Sequence, residues 1–159
     1  MHEDFVIVEA LDAASIAQCR ELFAEYRNAV AMGACFQGFD AELAALPGDY
    51  APPRGRLLLA RKGARPAGCV AIRPLFHRDA EMKRLYVRRA HRGGGLGRRL
   101  TEAAIAAARA LGYEALKLDT LPTMHAAHNL YATLGFHDTA PYNDNAAGGV
   151  RFLALDLKP

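Results

Sequence analysis

Four glycines and five arginines share the stretch LYVRRAHRGGGLGRRL, residues 85–100, and together they could hold a compact anion. A helix N-terminus leaves its first N–H groups without internal partners and carries a partial positive charge. Ser, Thr, Asp and Asn are the usual caps, and none occurs between Arg88 and Leu100. Gly93, Gly94, Gly95 and Gly97 lack Cβ atoms, so a ligand can come close to the backbone and positive φ is open. Phosphate oxygens would satisfy those donors, and Arg92 or Arg98 could add charge-assisted bonds. Two nucleotide fingerprints fail on spacing. No Gly-Lys pair exists for a P-loop, and in either register of G-x-G the third glycine falls on Arg98 or Leu100.

Other reactive side chains offer less. His125 and His128 stand i, i+3 without a third ligand nearby, so no metal is expected. Cys19, Cys35 and Cys69 are too few for a disulfide framework, and a reducing cytoplasm is the expected compartment. Cys69, between Gly68 and Val70, reads as a small core residue with no activating partner, and His91 as a solvated or phosphate-adjacent residue.

The elements that must position the glycine loop follow from periodicity. Residues 5–11 (FVIVEAL) read as a first strand. Ser15 and Gln18 form a capping box before a helix carrying Ile16, Cys19, Leu22, Phe23, Tyr26 and Val30. Asp40 starts a short second helix that ends at Pro47-Gly48. RLLLARKG and RPAGCVAIR make a hairpin around Gly63, stopped by Pro74, and another strand runs over 81–88. The helix after the glycines buries Leu100, Ala103, Ala104, Ala107 and Leu111 and stops at Gly112. YEALKLDTL is a strand, residues 123–134 a helix closed by Gly135-Phe136, and VRFLALDL the last strand, with one more short strand possible over 136–140. Early hairpins and late helical crossovers predict one α+β domain over residues 1–159. Its mixed, mostly antiparallel sheet has a parallel pair where the 96–111 helix joins two strands, with flanking helices.

Two motifs in this order resemble the GNAT superfamily of acetyl-CoA-dependent N-acetyltransferases. Arg92-Gly93-Gly94-Gly95-Leu96-Gly97 fits its R/Q-x-x-G-x-G/A signature, after a strand ending Leu85-Tyr86-Val87 as the family's does. Downstream, Ala127 to Phe136 (AHNLYATLGF) is similar to its A-x-x-L-Y-x-x-x-G-F helix. The resemblance is sharpest over 81–136 and implies a parallel strand pair that splays apart. It implies that Gly93, Gly94, Gly95, Leu96, Gly97 and Arg98, with Arg92, cradle the pyrophosphate of acetyl-CoA. The backbone of Leu85, Tyr86 and Val87 would pair with the pantetheine arm. Two positions depart from the pattern: Arg89 stands where the family often has Pro, and Met124 where it often has a cofactor-binding Asn.

The implied chemistry is direct attack of a primary amine on the thioester. Tyr131 is the implied proton donor to the leaving thiolate, since its ordinary pKa of about 10 lies near that of a thiol, about 8.5. Glu81 is the candidate base, directly or through water. Strand alternation groups it with Lys83, Leu85 and Val87 unless a bulge intervenes. Pairing of Glu81 with Lys83 or Arg84 is the structural alternative, and Asp79 and Tyr142 are weaker candidates. The acceptor, expected to be a small molecule, would be bordered by residues 32–55 and 141–145, where Phe36, Gln37, Phe39, Tyr50, Tyr142 and Asn143 name no substrate. Arg54 and Arg73 make a carboxylate-bearing amine conceivable. A non-catalytic acyl-CoA sensor is the alternative function. Relatives of this type often form homodimers, an assembly the residues themselves do not encode.

Composition frames this reading. With 159 residues, 52% hydrophobic and 23% charged, the chain suits one globular domain. No apolar run approaches the roughly 20 residues of a membrane span, and the acid-bearing start MHEDFVIVEAL is unlike a signal peptide. The net charge of +3 is uneven: residues 83–99 hold seven of the 20 Lys and Arg and no acid, leaving 13 bases against 17 acids elsewhere. Such local basicity argues for one anionic ligand and against a nucleic-acid partner, which would meet charge spread over a face.

Overall fold

A computed structural model describes residues 4–30, 38–143 and 149–158. Seven strands form one sheet: β1 (Phe5–Glu9), β2 (Arg56–Lys62), β3 (Arg65–Pro74), β4 (Asp79–Val87), β5 (Ala115–Thr120), β6 (His137–Asp138) and β7 (Arg151–Asp156), in the order β1-β2-β3-β4-β5-β7-β6. The four helices are α1 (Ala13–Val30), α2 (Phe39–Ala45), α3 (Leu96–Ala110) and α4 (His125–Thr133). Every pairing is antiparallel except β4 with β5, which α3 connects. This is the mixed sheet with a parallel pair that the periodicity predicts.

Alternation along the central strands builds a core on each face. Leu57, Leu59, Cys69 and Ala71 meet Cys19, Leu22 and Phe23 of α1 and Phe39 of α2. Leu58, Ala60, Val70 and Ile72 meet Leu96, Leu100, Ala104 and Ala108 of α3, together with Tyr131 of α4. The predicted α3 stripe is rotated slightly. Ala103, Ala107 and Leu111 are partly buried, whereas Leu96, Thr101 and Ala108 lie deeper.

Two local expectations are corrected. Helix α1 begins two residues before the proposed capping box: Asp12 Oδ1 accepts the Ser15 N–H at 2.7 Å, and Gln18 turns to the Ala64 carbonyl and to Arg61. Gly38, in the left-handed region at φ 77°, precedes α2, leaving Asp40 in the first turn as the ion-pair partner of Arg27.

A bulge in β4 decides the site. Cys69 faces Tyr86 while Ala71 faces Lys83, so Arg84 and Leu85 together oppose Val70. Arg84 takes φ 62°, which for a side-chain-bearing residue costs roughly 1–2 kcal/mol. Its guanidinium grips Glu42 at 2.8 and 2.9 Å and lies 4.9 Å over the Phe39 ring, contacts that hold the strained turn. The extra residue switches sides. Glu81, Lys83 and Tyr86 face α1 and α2, whereas Met82, Leu85 and Val87 face α3. Glu81 therefore does not share a face with Leu85 and Val87, as uninterrupted alternation predicts.

Candidate active site

The parallel pairing of β4 and β5 covers only Asp79–Ala115, Ala80–Leu116 and Glu81–Lys117. Lys117 Nζ lies 2.9 Å from Asp79 at that closed end, which gives Asp79 a structural partner away from the opening. Beyond Glu81 the strands part: β4 stays with β3, and β5 with β7. The gap is a cleft lined by Tyr26, Lys83, Arg84, Asp119, Thr120 and Tyr131, among others. From Met82 onward, the β4 edge that faces β5 has no strand partner among the described residues, and Arg92 Nε donates to the Val87 carbonyl at 2.8 Å.

Next to the cleft, a groove of about 480 Å³ runs between the end of β4, the start of α3 and α4. Leu85, Val87, Ala127 and Leu130 give it an apolar wall, and Gly93, Gly95 and Gly97 line its other end. No side chain caps α3. Gly93 and Gly95 adopt φ 88° and 83°, which only glycine takes without strain, and a Cβ at either would meet nothing within 4 Å. The turn thus brings bare amides to an open space. At Gly97 a Cβ would reach only Val87 and Leu130 at ordinary contact distance, so it is the groove, not core packing, that benefits from its missing side chain. The cradle fits a diphosphate, and the apolar wall fits an aliphatic arm.

The basic block is less concentrated on this site than its spacing suggests. Arg88 is tied to Glu21 and Glu25 of α1 and to the Pro66 carbonyl. Arg84 belongs to Glu42, Lys83 to Glu81 and Asp119, and Arg99 donates to the Phe5 carbonyl at 3.1 Å. Arg98 contacts Thr133 at 3.2 Å and Glu102 at 3.5 Å on the exposed surface. Arg92 and His91 line the groove, with Arg92 5.8 Å above the Tyr86 ring and His91 edge-on to Phe5.

Tyr131 is buried in the cleft wall, its ring 5.5 Å from that of Phe136. Burial, with added repulsion from Tyr26 and Asp119, pushes its phenol well above the ordinary tyrosine value, so the hydroxyl keeps its proton. Glu81 is only 1% exposed. Arg73 holds its Oε1 through Nε and Nη2, both at 2.9 Å. Its Oε2 accepts from Tyr142 at 2.7 Å and lies 3.8 Å from Lys83 Nζ. Of its two anticipated cationic neighbours, Lys83 is present and Arg84 is engaged elsewhere. Tyr142 is half-buried and keeps its proton, its phenol raised by desolvation and by the Glu81 charge.

Arg54 lies apart from this site, bonded to Tyr113 and stacked on its ring. Cys69 is buried, its thiol pushed up by desolvation and donated to the Arg84 carbonyl at 3.3 Å, which suits a core residue. His128 meets the Leu121 carbonyl at 3.0 Å. Phe36, Gln37 and most of the 32–55 border before Gly38 lie outside the described residues, as do Cys35 and Asn145. Sequence reasoning missed Tyr26 and Asp119. Asp119 did carry a signal: LKLDT alternates, so Lys117 and Asp119 form a polar pair on one face of an interior strand.

Comparison with known proteins bears on the family and the fold. Residues 16–136 match the family model described as the acetyltransferase (GNAT) family. An uncharacterised N-acetyltransferase of Schizosaccharomyces pombe is 41% identical over 138 residues, covering 86% of this chain and 85% of that one. An acetyltransferase of Streptococcus agalactiae has the same fold, with a TM-score of 0.80 at 20% identity over 96% of this chain and 98% of that one. A provisionally named acetyltransferase of Salmonella typhimurium, solved with its cofactor acetyl-CoA, gives a TM-score of 0.74 at 25% identity over 97% and 94% of the two chains.

Proposed function

The chain belongs to the GNAT acetyltransferase family, and on that premise we propose that it transfers the acetyl group of acetyl-CoA to a primary amine of a small molecule by direct attack. The carrying observation is the uncapped start of α3, where Gly93 and Gly95 open bare amides onto a groove that leads to the Tyr131 cleft. In this reading Gly93, Gly94, Gly95, Leu96 and Gly97 hold the diphosphate, with Arg92 and Arg98 at its flanks. The free edge of β4 at Leu85, Tyr86 and Val87 takes the pantetheine arm, and Met124, which lines both groove and cleft, meets it with a thioether in place of a polar group. Acetyl-CoA supplies the activated acyl carbon.

Tyr131 stands where a leaving sulfur would need a hydrogen-bond donor. Its raised pKa keeps the donor present at neutral pH. Glu81 reaches the cleft through Lys83 and Tyr142, so its charge orders the groups that face an incoming amine.

Titration with acetyl-CoA by calorimetry is expected to give saturable heat and a raised Tm. Thiol release in the presence of a panel of primary amines is expected to depend on the acceptor. Folded protein that shows neither heat nor melting shift at millimolar acetyl-CoA overturns the reading. Binding without acceptor-dependent release would make the chain an acyl-CoA sensor.

A further inference from the structure

We propose that Asp119 takes the proton from the incoming amine and that Lys83 holds its carboxylate in the cleft, an assignment that rests on the acetyl-transfer reading above. A base must offer a lone pair where the amine arrives. Glu81 does not: it is 1% exposed, and both of its oxygens are occupied by Arg73, Tyr142 and Lys83. Asp119 does. It sits two residues beyond Lys117, where the parallel pairing ends, and lines the same cleft as Tyr131. Its side chain keeps 13% of its exposure, and among the described residues two groups restrain it. Asn143 donates to Oδ2 at 3.0 Å, and Lys83 Nζ lies 3.8 Å from Oδ1, a distance that leaves lone pairs for a ligand or one water.

The other polar groups facing this cleft, among the described residues, are Tyr26 of α1, Arg84 of β4, Thr120 of β5 and Tyr131 of α4, with Tyr142 and Glu81 behind Lys83. Arg84 is neutralised by Glu42, and the tyrosine and threonine hydroxyls are far weaker bases than a carboxylate, which leaves Asp119 as the carboxylate among the described residues lining the cleft. Its charge adds to the upward push on both the Tyr131 and the Tyr142 phenol.

The step balances. An alkylammonium first gives its extra proton to Asp119, directly or through one water, and Asp119 passes it on to solvent. The neutral nitrogen then bonds to the acetyl carbon and becomes acidic as it does so. The C–S bond breaks, the N–H proton passes to Asp119 directly or through one water, and Tyr131 gives its proton to the sulfur. Return of the Asp119 proton to Tyr131 through water restores both groups.

Asp119→Asn preserves shape and removes the basic oxygen. With ethylamine as acceptor at neutral pH, kcat is expected to fall on the order of 100-fold, with acetyl-CoA affinity unchanged. With hydroxylamine, a weak base that is already neutral at that pH, the loss is expected to be on the order of tenfold or less. Ethylamine turnover by the variant should climb with pH where that of the parent levels off, and Asp119→Glu should recover part of it. Equal losses with both acceptors and an unaltered pH profile would mark a structural role and overturn the assignment, as would unchanged kcat. If the asparagine variant does not fold, Asp119→Ser carries the same readout. Parent protein that binds acetyl-CoA but acetylates neither acceptor removes the acetyl-transfer reading, and this assignment with it.

Discussion

The groove and the cleft lie side by side, yet they are built from different material. The glycine end of the groove, proposed to hold the diphosphate, is main chain from one continuous stretch, residues 93–97, shaped by two glycines at positive φ. The cleft is side chains from α1, β4, β5 and α4, joined from the loop after β6 by Tyr142 and Asn143, and brought together by a bulge and a splayed strand pair. Backbone amides bind whatever carries a diphosphate and ask little of neighbouring sequence. Convergent side chains bind what their charges and shapes select. One end of this protein is therefore generic and the other individual.

That contrast can be broken by experiment. Gly95→Val puts a Cβ at φ 83°, straining the turn by roughly 1–2 kcal/mol and obstructing the amides. Acetyl-CoA affinity is expected to weaken on the order of 1000-fold, about 4 kcal/mol by calorimetry, in protein that remains folded by circular dichroism. Arg84→Ala attacks the cleft: it leaves the largely buried Glu42 carboxylate unpaired and the backbone at 84 no less strained. A stability loss of about 3 kcal/mol in denaturant melts is expected, with turnover falling further than acetyl-CoA affinity. If both fall equally, groove and cleft are one unit. Tyr131→Phe sharpens the division, because it removes only the hydroxyl proposed as proton donor. It is expected to lower kcat on the order of 100-fold and leave acetyl-CoA affinity unchanged, and normal turnover removes Tyr131 from the mechanism. Arg88→Ala is the mildest. Loss of its contacts to Glu21 and Glu25 should cost about 1 kcal/mol in melting, with no change in acetyl-CoA affinity. A clear loss of that affinity would show that Arg88 also acts on the bound cofactor.

Arg88 also illustrates why the basic block misleads as a string. Seven cations within 17 residues suggest a single pool of charge. In the fold, α1 and α2 bring Glu21, Glu25 and Glu42 against that pool from far along the chain and divide it into separate ion pairs. Glu81 shows the same limit. Its strand position and its pairing with Lys83 were legible, but Arg73 and Tyr142, which hold its two oxygens, come from another strand and from a distant loop. The α1 cap failed for a smaller reason: Asp12 and Ser15 both qualify as caps by type, and local sequence does not rank them.

The order of strands and helices, the parallel crossover through α3 and the glycine cradle were determined by the sequence alone. Periodicity, a missing cap and a missing Cβ act between residues that are neighbours in the chain. Tertiary structure alone decided which face Glu81 occupies, which cations remain near the groove and that Asp119 enters the cleft. Those facts depend on one inserted residue at the β4 bulge and on where β4 and β5 separate. Both are set by side chains distant in sequence that pack and pair across the sheet.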